Sequence, residues 1–178
     1  MGRLSTLVVL LAIVLVLLGA PFFLRSAFPL YYGEVISAIA EHYDLDPFLL
    51  AAMIQVESGF RPEAVSPKGA RGLMQIMPET ANWLGKHSAQ SIPVDDLFDP
   101  KTNIGLGAYY LTYLLERFPT LYAALAAYNA GPTNARRWLD ERIWDGSYER
   151  TGQIPYGETR SYVRKVIMMK NLYTLLYN

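Results

Sequence analysis

The chain has no cysteine among its 178 residues. Disulfides, thiolate-bound metals and a lipid-modified N-terminal cysteine are thereby excluded. Histidine is nearly as scarce. His42 and His87 are the two present, and neither stands in an H-E-x-x-H arrangement that would hold a hydrolytic zinc. There is no G-x-S-x-G nucleophile elbow and no Walker loop. Gly105-Leu106-Gly107 lies inside a helical pattern with no strand before it, so it reads as a close-packing patch rather than a dinucleotide site. An excess of one charge is missing too, because 16 basic residues balance 16 acidic ones. Setting aside residues 1–25, which hold Arg3 and Arg25, leaves a net charge of −2. Such a domain is a poor candidate for binding nucleic acid through a basic surface. Carboxylate chemistry is the best enzymatic option left.

Leu4 to Leu24 forms an uncharged apolar run, long enough to cross a bilayer as a helix. Arg3 and the terminal amine precede it, which favours an N-inside orientation. A cleaved signal peptide is the alternative, with Gly19 and Ala20 as small residues near its end. Leu18 and Pro21 fit a cleavage site poorly, so an uncleaved anchor is favoured. The chain divides into an N-terminal anchor or uncleaved signal over residues 1–25 and one domain over residues 26–178.

Helical signals dominate that domain. Val35, Ile36 and Ile39 recur at helical spacing between Tyr32 and Tyr43. A second helix runs from Pro47 toward Glu57. Ser58 to Gly72, with Pro62, Pro67 and Gly69, reads as an ordered loop. Pro78 to Leu84 is a short helix and Ser88 to Asp99 a polar loop. Pro100 to Phe118 is a long helix buried through Ile104, Ala108, Leu111 and Leu115. Leu121 to Ala130 is alanine-rich and central, and Pro132 to Trp138 begins another helix. Trp144 to Pro155 is a loop, and an amphipathic helix runs from about Glu158 to Leu176. No convincing alternating strand and no repeat is present. The fold class is all-α, with room for a small β element.

Glu57 is the informative residue. Leu50, Met53, Ile54 and Glu57 follow the i, i+3, i+4, i+7 spacing of one helix face, and the first three are apolar. Asp46 and Pro47 provide an N-cap and first-turn proline, and Gly59 provides a stop. A carboxylate closing an apolar stripe is desolvated, and the negative end of the helix dipole acts on it as well. Both effects raise its pKa and suit it to general-acid work. An ordinary solvated Glu in a frayed last turn gives the same local sequence.

Three further segments carry polar groups in unusual surroundings. Ser66-Pro67-Lys68-Gly69-Ala70-Arg71-Gly72-Leu73-Met74-Gln75-Ile76-Met77-Pro78 offers glycines for close backbone approach and Gln75 as both donor and acceptor. Ala127-Tyr128-Asn129-Ala130-Gly131-Pro132 puts two polar groups at the end of a small-residue helix. A core tyrosine that merely satisfies its hydroxyl is the alternative for Tyr128. In Glu158-Thr159-Arg160-Ser161-Tyr162-Val163, Glu158 and Arg160 read as a structural pair or cap, and Tyr162 lies one turn beyond Glu158.

With Glu57-Ser58, Gly72-Leu73-Met74-Gln75-Ile76-Met77-Pro78, Ala127-Tyr128-Asn129-Ala130-Gly131-Pro132 and Glu158-Thr159-Arg160-x-Tyr162-Val163 in order, the chain resembles the soluble-type lytic transglycosylases. The resemblance spans roughly residues 31 to 175. It implies a goose-lysozyme-like helical domain that cleaves peptidoglycan between N-acetylmuramic acid and N-acetylglucosamine, forming a 1,6-anhydro end. It implies Glu57 as the single acid/base. Ser66, Gln75, Met77 and Tyr128 would line the site, with Asn129 and Tyr162 supporting it. No cofactor or metal is implied. The expected partners are glycan strands and, through the N-terminal helix, a membrane. The expected location is the bacterial inner membrane with the domain on the periplasmic side, or secretion if a signal is cleaved. Two rivals are a hydrolytic muramidase, using Glu63, Asp95, Asp96 or Asp99 to activate water, and a silent glycan-binding scaffold.

Overall fold

The computed structural model describes Leu10, Gly19 and residues 22–87 and 94–178. Most of the expected anchor over Leu4 to Leu24 lies outside the described residues, and among those described no helix is long and apolar enough to cross a membrane. Seven labelled helices follow in order: α1 (Gly33–His42), α2 (Pro47–Ser58), α3 (Pro78–His87), α4 (Pro100–Leu115), α5 (Leu121–Ala130), α6 (Pro132–Asp140) and α7 (Gly157–Tyr177). Short 3₁₀ turns occupy Val94–Phe98 and Thr151–Gln153. The described residues contain no extended strand. Isolated bridges from Arg71 to Val65 and to Ile76 are the small β element.

Local chemistry sets the helix ends. The Asp46 carboxylate accepts from the Phe48 amide at 2.8 Å, Pro47 opens α2, and Gly59 closes it in the left-handed region. Asp99 with Pro100 does the same for α4, and the Thr120 hydroxyl accepts from the Ala123 amide to start α5. The long-helix reading needs one adjustment. α4 ends at Leu115, and Leu114 is fully buried, whereas Leu115 is partly buried and packs against the edge of the core.

Two helices form the centre. Ala123 to Ala127 in α5 are fully buried, and methyl side chains let α4, α6 and α7 approach closely. In α2, Leu49 to Ile54 are buried on every side rather than along one stripe, and α7 is its main partner. The two glycines of α4 differ. A Cβ on Gly107 would stand 2.3 Å from the Met74 sulfur, so that residue admits close packing, whereas Gly105 faces open space.

The loop from Gly59 to Met77 is held by a buried asparagine. Asn103 accepts from the Met74 amide at 2.7 Å and donates to the carbonyls of Leu97 at 2.8 Å and Arg71 at 3.0 Å. Gly72 sits against this amide with φ 76°. A Cβ there would lie 2.1 Å from the Leu97 carbonyl oxygen. The fold therefore presents a rigid loop opposite the C-terminal end of α2.

Candidate active site

The C-terminal turn of α2 opens into a cavity of about 650 Å³. Glu57, Ser66, Gln75, Met77, Tyr128 and Asn129 all line it. These residues come from α2, the Gly59–Met77 loop and α5, which the backbone brings together from three stretches of sequence. Tyr162 of α7 stands behind Glu57, buried at 5% exposure. All seven sequence-expected positions are thus on or directly behind one wall.

Glu57 is only partly accessible. Burial pushes its carboxyl up to about 7. Facing it, the Tyr162 hydroxyl opposes that rise and Glu158 adds to it. The Tyr162 hydroxyl is buried and makes no hydrogen bond of ordinary geometry. Its electrostatic neighbours are Glu57 and Tyr128, and burial holds its own proton on well above the usual range. The result is a carboxyl that shares its proton with solvent near neutral pH, backed by a neutral phenol.

The other side chains are oriented by the fold. Tyr128 donates to the Met74 carbonyl at 3.0 Å, so it both satisfies its hydroxyl and walls the cavity. Gln75 adopts φ 49°, with its amide nitrogen donating to the carbonyls of Gly72 at 2.9 Å and Ala64 at 3.1 Å. Those bonds leave its carbonyl oxygen as an acceptor. A non-glycine residue in the left-handed region costs about 1 kcal/mol or more, tolerated here because Asn103 fixes the loop. The Ser66 hydroxyl accepts from the Ala70 amide at 3.0 Å and keeps its proton to donate. Asn129 accepts from the buried Thr159 hydroxyl at 2.7 Å, which ties α5 to α7.

Glu158 departs from its sequence reading. The structural role belongs to Arg160 alone, whose guanidinium donates to the carbonyls of Ile154 at 2.6 Å and Pro155 at 3.4 Å. Glu158 instead lines the cavity and acts on Glu57. Proximity in the motif suggested pairing, but the first turn of α7 points the two side chains apart. Tyr110 and Thr80 also line the cavity and were missed. Tyr110 lies between apolar positions of α4, and only the helix packing shows which face it shares with Tyr128 at a centroid distance of 5.2 Å. Among the described residues no cluster of His, Asp and Glu could hold a metal.

Glu63 is exposed and lies off the cavity, and Asp99 is an exposed cap of α4. Asp96 is exposed, and the side chain of Asp95 lies outside the described part of the structure.

The profile of the transglycosylase SLT domain matches residues 34–150. The chain belongs to the transglycosylase SLT domain family. Its SLT domain is 36% identical over 155 residues to the soluble lytic murein transglycosylase of Salmonella typhimurium, covering 81% of this chain and 23% of that protein. It is 42% identical over 124 residues to membrane-bound lytic murein transglycosylase F 1 of Alkalilimnicola ehrlichii, covering 64% and 24%. The 70 kDa soluble lytic transglycosylase of Escherichia coli superposes with a TM-score of 0.79 at 34% identity, covering 85% of this chain and 25% of that one. The fold is therefore that lysozyme-like helical fold. The SLT domain described here spans about a quarter of the length of these relatives.

Proposed function

We propose that this chain is a peptidoglycan lytic transglycosylase. It cleaves the β-1,4 bond between N-acetylmuramic acid and N-acetylglucosamine and leaves a 1,6-anhydro-muramic end. The observation that carries the proposal is Glu57, a carboxyl raised to about 7 inside a cavity that holds the other expected site residues.

Glu57, protonated, donates to the glycosidic oxygen as its bond to the anomeric carbon breaks. The N-acetyl carbonyl of the muramic sugar bonds to that carbon and takes up the positive charge. Glu57, now a carboxylate, removes the proton of the 6-hydroxyl. The oxygen of that hydroxyl attacks the anomeric carbon and displaces the acetamido oxygen. Glu57 ends protonated, and water is not consumed. A single carboxyl performs both transfers, as in substrate-assisted exceptions to the two-carboxylate scheme. A pKa near 7 serves both directions. Tyr162 stabilises the carboxylate stage. Ser66, Gln75 and Asn129 offer the donors and acceptors that sugar hydroxyls and acetamides need.

Residues 1–25 serve as an uncleaved anchor and residues 26–178 as the catalytic domain, on the periplasmic side of the inner membrane. The uncharged run from Leu4 to Leu24 supports that placement, and a membrane-bound relative is consistent with it.

Glu158 supports one competing reading, a hydrolase in which it activates water. The products separate the two. Anhydro ends that disappear in Glu57→Gln support lytic transglycosylation, and reducing muramic ends support hydrolysis.

A further inference from the structure

The three most exposed large apolar side chains among the described residues gather at one end of the molecule. Leu175 is 78% exposed, and Phe22 and Phe23 are each 71% exposed. Leu175 stands in the last turn of α7, and residues 22–27 form a short helical segment tied to that turn. Arg25 Nε donates to the Leu176 carbonyl at 2.8 Å, and its guanidinium lies 5.4 Å from the centre of the Tyr177 ring. Tyr177 Oη donates in turn to the Phe28 carbonyl at 3.0 Å. Two stretches far apart in sequence therefore present one apolar edge.

The outer face of α7 extends this edge. Arg164, Lys165, Met168, Leu172 and Leu175 recur at helical spacing and share that face. Met168 is exposed and Leu172 half-buried. The apolar members occupy the C-terminal half of α7, and the two exposed cations lie one turn before them. Arg164 Nε donates to the Thr151 hydroxyl at 2.8 Å, which leaves its outer N–H groups free to meet a ligand. From Thr159 onward the chain carries Arg160, Arg164, Lys165 and Lys170 and no acidic side chain. Lys170 pairs with Asp46 at 2.9 Å, and Glu158 lines the cavity at the opposite end of α7. An apolar stripe flanked by cations matches an anionic bilayer surface. The uncharged run from Leu4 to Leu24 ends at this same edge.

We propose that this face of α7, together with Phe22 and Phe23, docks the domain onto an anionic lipid bilayer. The apolar side chains sit at the boundary of headgroups and acyl chains, and Arg164 and Lys165 meet lipid phosphates. The inference rests on the anchor reading above and adds to it a second, peripheral contact made by the folded domain. Its consequence is the position of the cleft. Glu158, on the wall of the cavity, lies about 25 Å along α7 from Leu175. Docking holds the cavity at a set distance from the bilayer, where a tether alone would let it swing.

The test places the full chain in vesicles of phosphatidylcholine and phosphatidylglycerol. The lack of native cysteine lets one introduced thiol carry a fluorophore at a single position. Met168→Cys and Leu175→Cys change exposed side chains, so the fold is kept. Lys68→Cys, on the wall of the cavity, is the comparison. The expected result is that a quencher on the lipid acyl chains cuts emission at positions 168 and 175 by about half and leaves position 68 unchanged. In phosphatidylcholine alone that quenching should fall, because the negative surface is gone. Undiminished quenching there would overturn the anionic preference. Quenching of positions 168 and 175 by aqueous iodide, with the chain still floating with vesicles on a density gradient, would overturn the docking and leave the anchor standing. Protection from both quenchers would overturn it as well and assign the face to a second copy of the chain. A chain that does not float with vesicles would defeat the anchor reading and the docking together.

Discussion

Glu57 is held by opposing influences, and those of Tyr162 and Glu158 can be removed singly. Burial raises its pKa, the Tyr162 hydroxyl lowers it, and Glu158 raises it. Turnover needs the protonated form first, so activity should fall as pH rises through about 7. Removing the phenol in Tyr162→Phe should move that alkaline limb to higher pH. Removing the negative charge in Glu158→Gln should move it lower. A pH–kcat/KM profile checks both, and an unmoved limb in both variants would mean another group controls it. Stability should respond with the opposite preference to a normal carboxylate. A raised folded pKa contributes stability that is complete below the ordinary carboxylate value and is lost as pH rises through about 7. Glu57→Gln should therefore gain about 1–3 kcal/mol over the parent at pH 8, and little at pH 4. Denaturant melts at the two pH values measure this. The apolar spacing around Glu57 made the perturbed carboxyl legible in sequence. The influence of Glu158 was not, because it depends on how the first turn of α7 faces the end of α2.

At the scale of elements, Asn103 and Gly72 decide whether the loop carrying Ser66, Gln75 and Met77 keeps its shape. Asn103→Ala leaves the Met74 amide and two carbonyls without their partner. A loss of about 2–4 kcal/mol in denaturant melts is expected, with activity falling further than stability explains. Retained stability and full activity would show that the loop is held elsewhere. Capping residues and prolines fixed the starts of α2, α4, α5 and α6, so these helices were legible from short-range chemistry. The role of Asn103 was invisible, since its three partners lie 6 to 32 residues away in sequence. The same distance rule explains Leu115. Periodicity placed it on the buried face, but the packing at the end of α4 chose Leu114.

Across the whole molecule, the helices form one packed body in which α7 closes on α2 and α5. Its last turn also grips the residues after the apolar run. Arg25 Nε donates to the Leu176 carbonyl at 2.8 Å, and Tyr177 Oη donates to the Phe28 carbonyl at 3.0 Å. Residues 26–178 keep the second contact and lose the first. This fragment is expected to be soluble and active, and less stable than one beginning at residue 22 by about 1 kcal/mol or less. Aggregation of the fragment under mild conditions would move the boundary upstream. The family and the main wall of the site were legible because four motifs kept their order. The most direct test of the central claim is mass spectrometry of the muropeptides released from purified peptidoglycan by the parent and by Glu57→Gln. The expected result is 1,6-anhydro-muramic products from the parent, with Glu57→Gln reduced by about three orders of magnitude while remaining folded. Reducing muramic ends from the parent, or anhydro products from the variant at an undiminished rate, would contradict it.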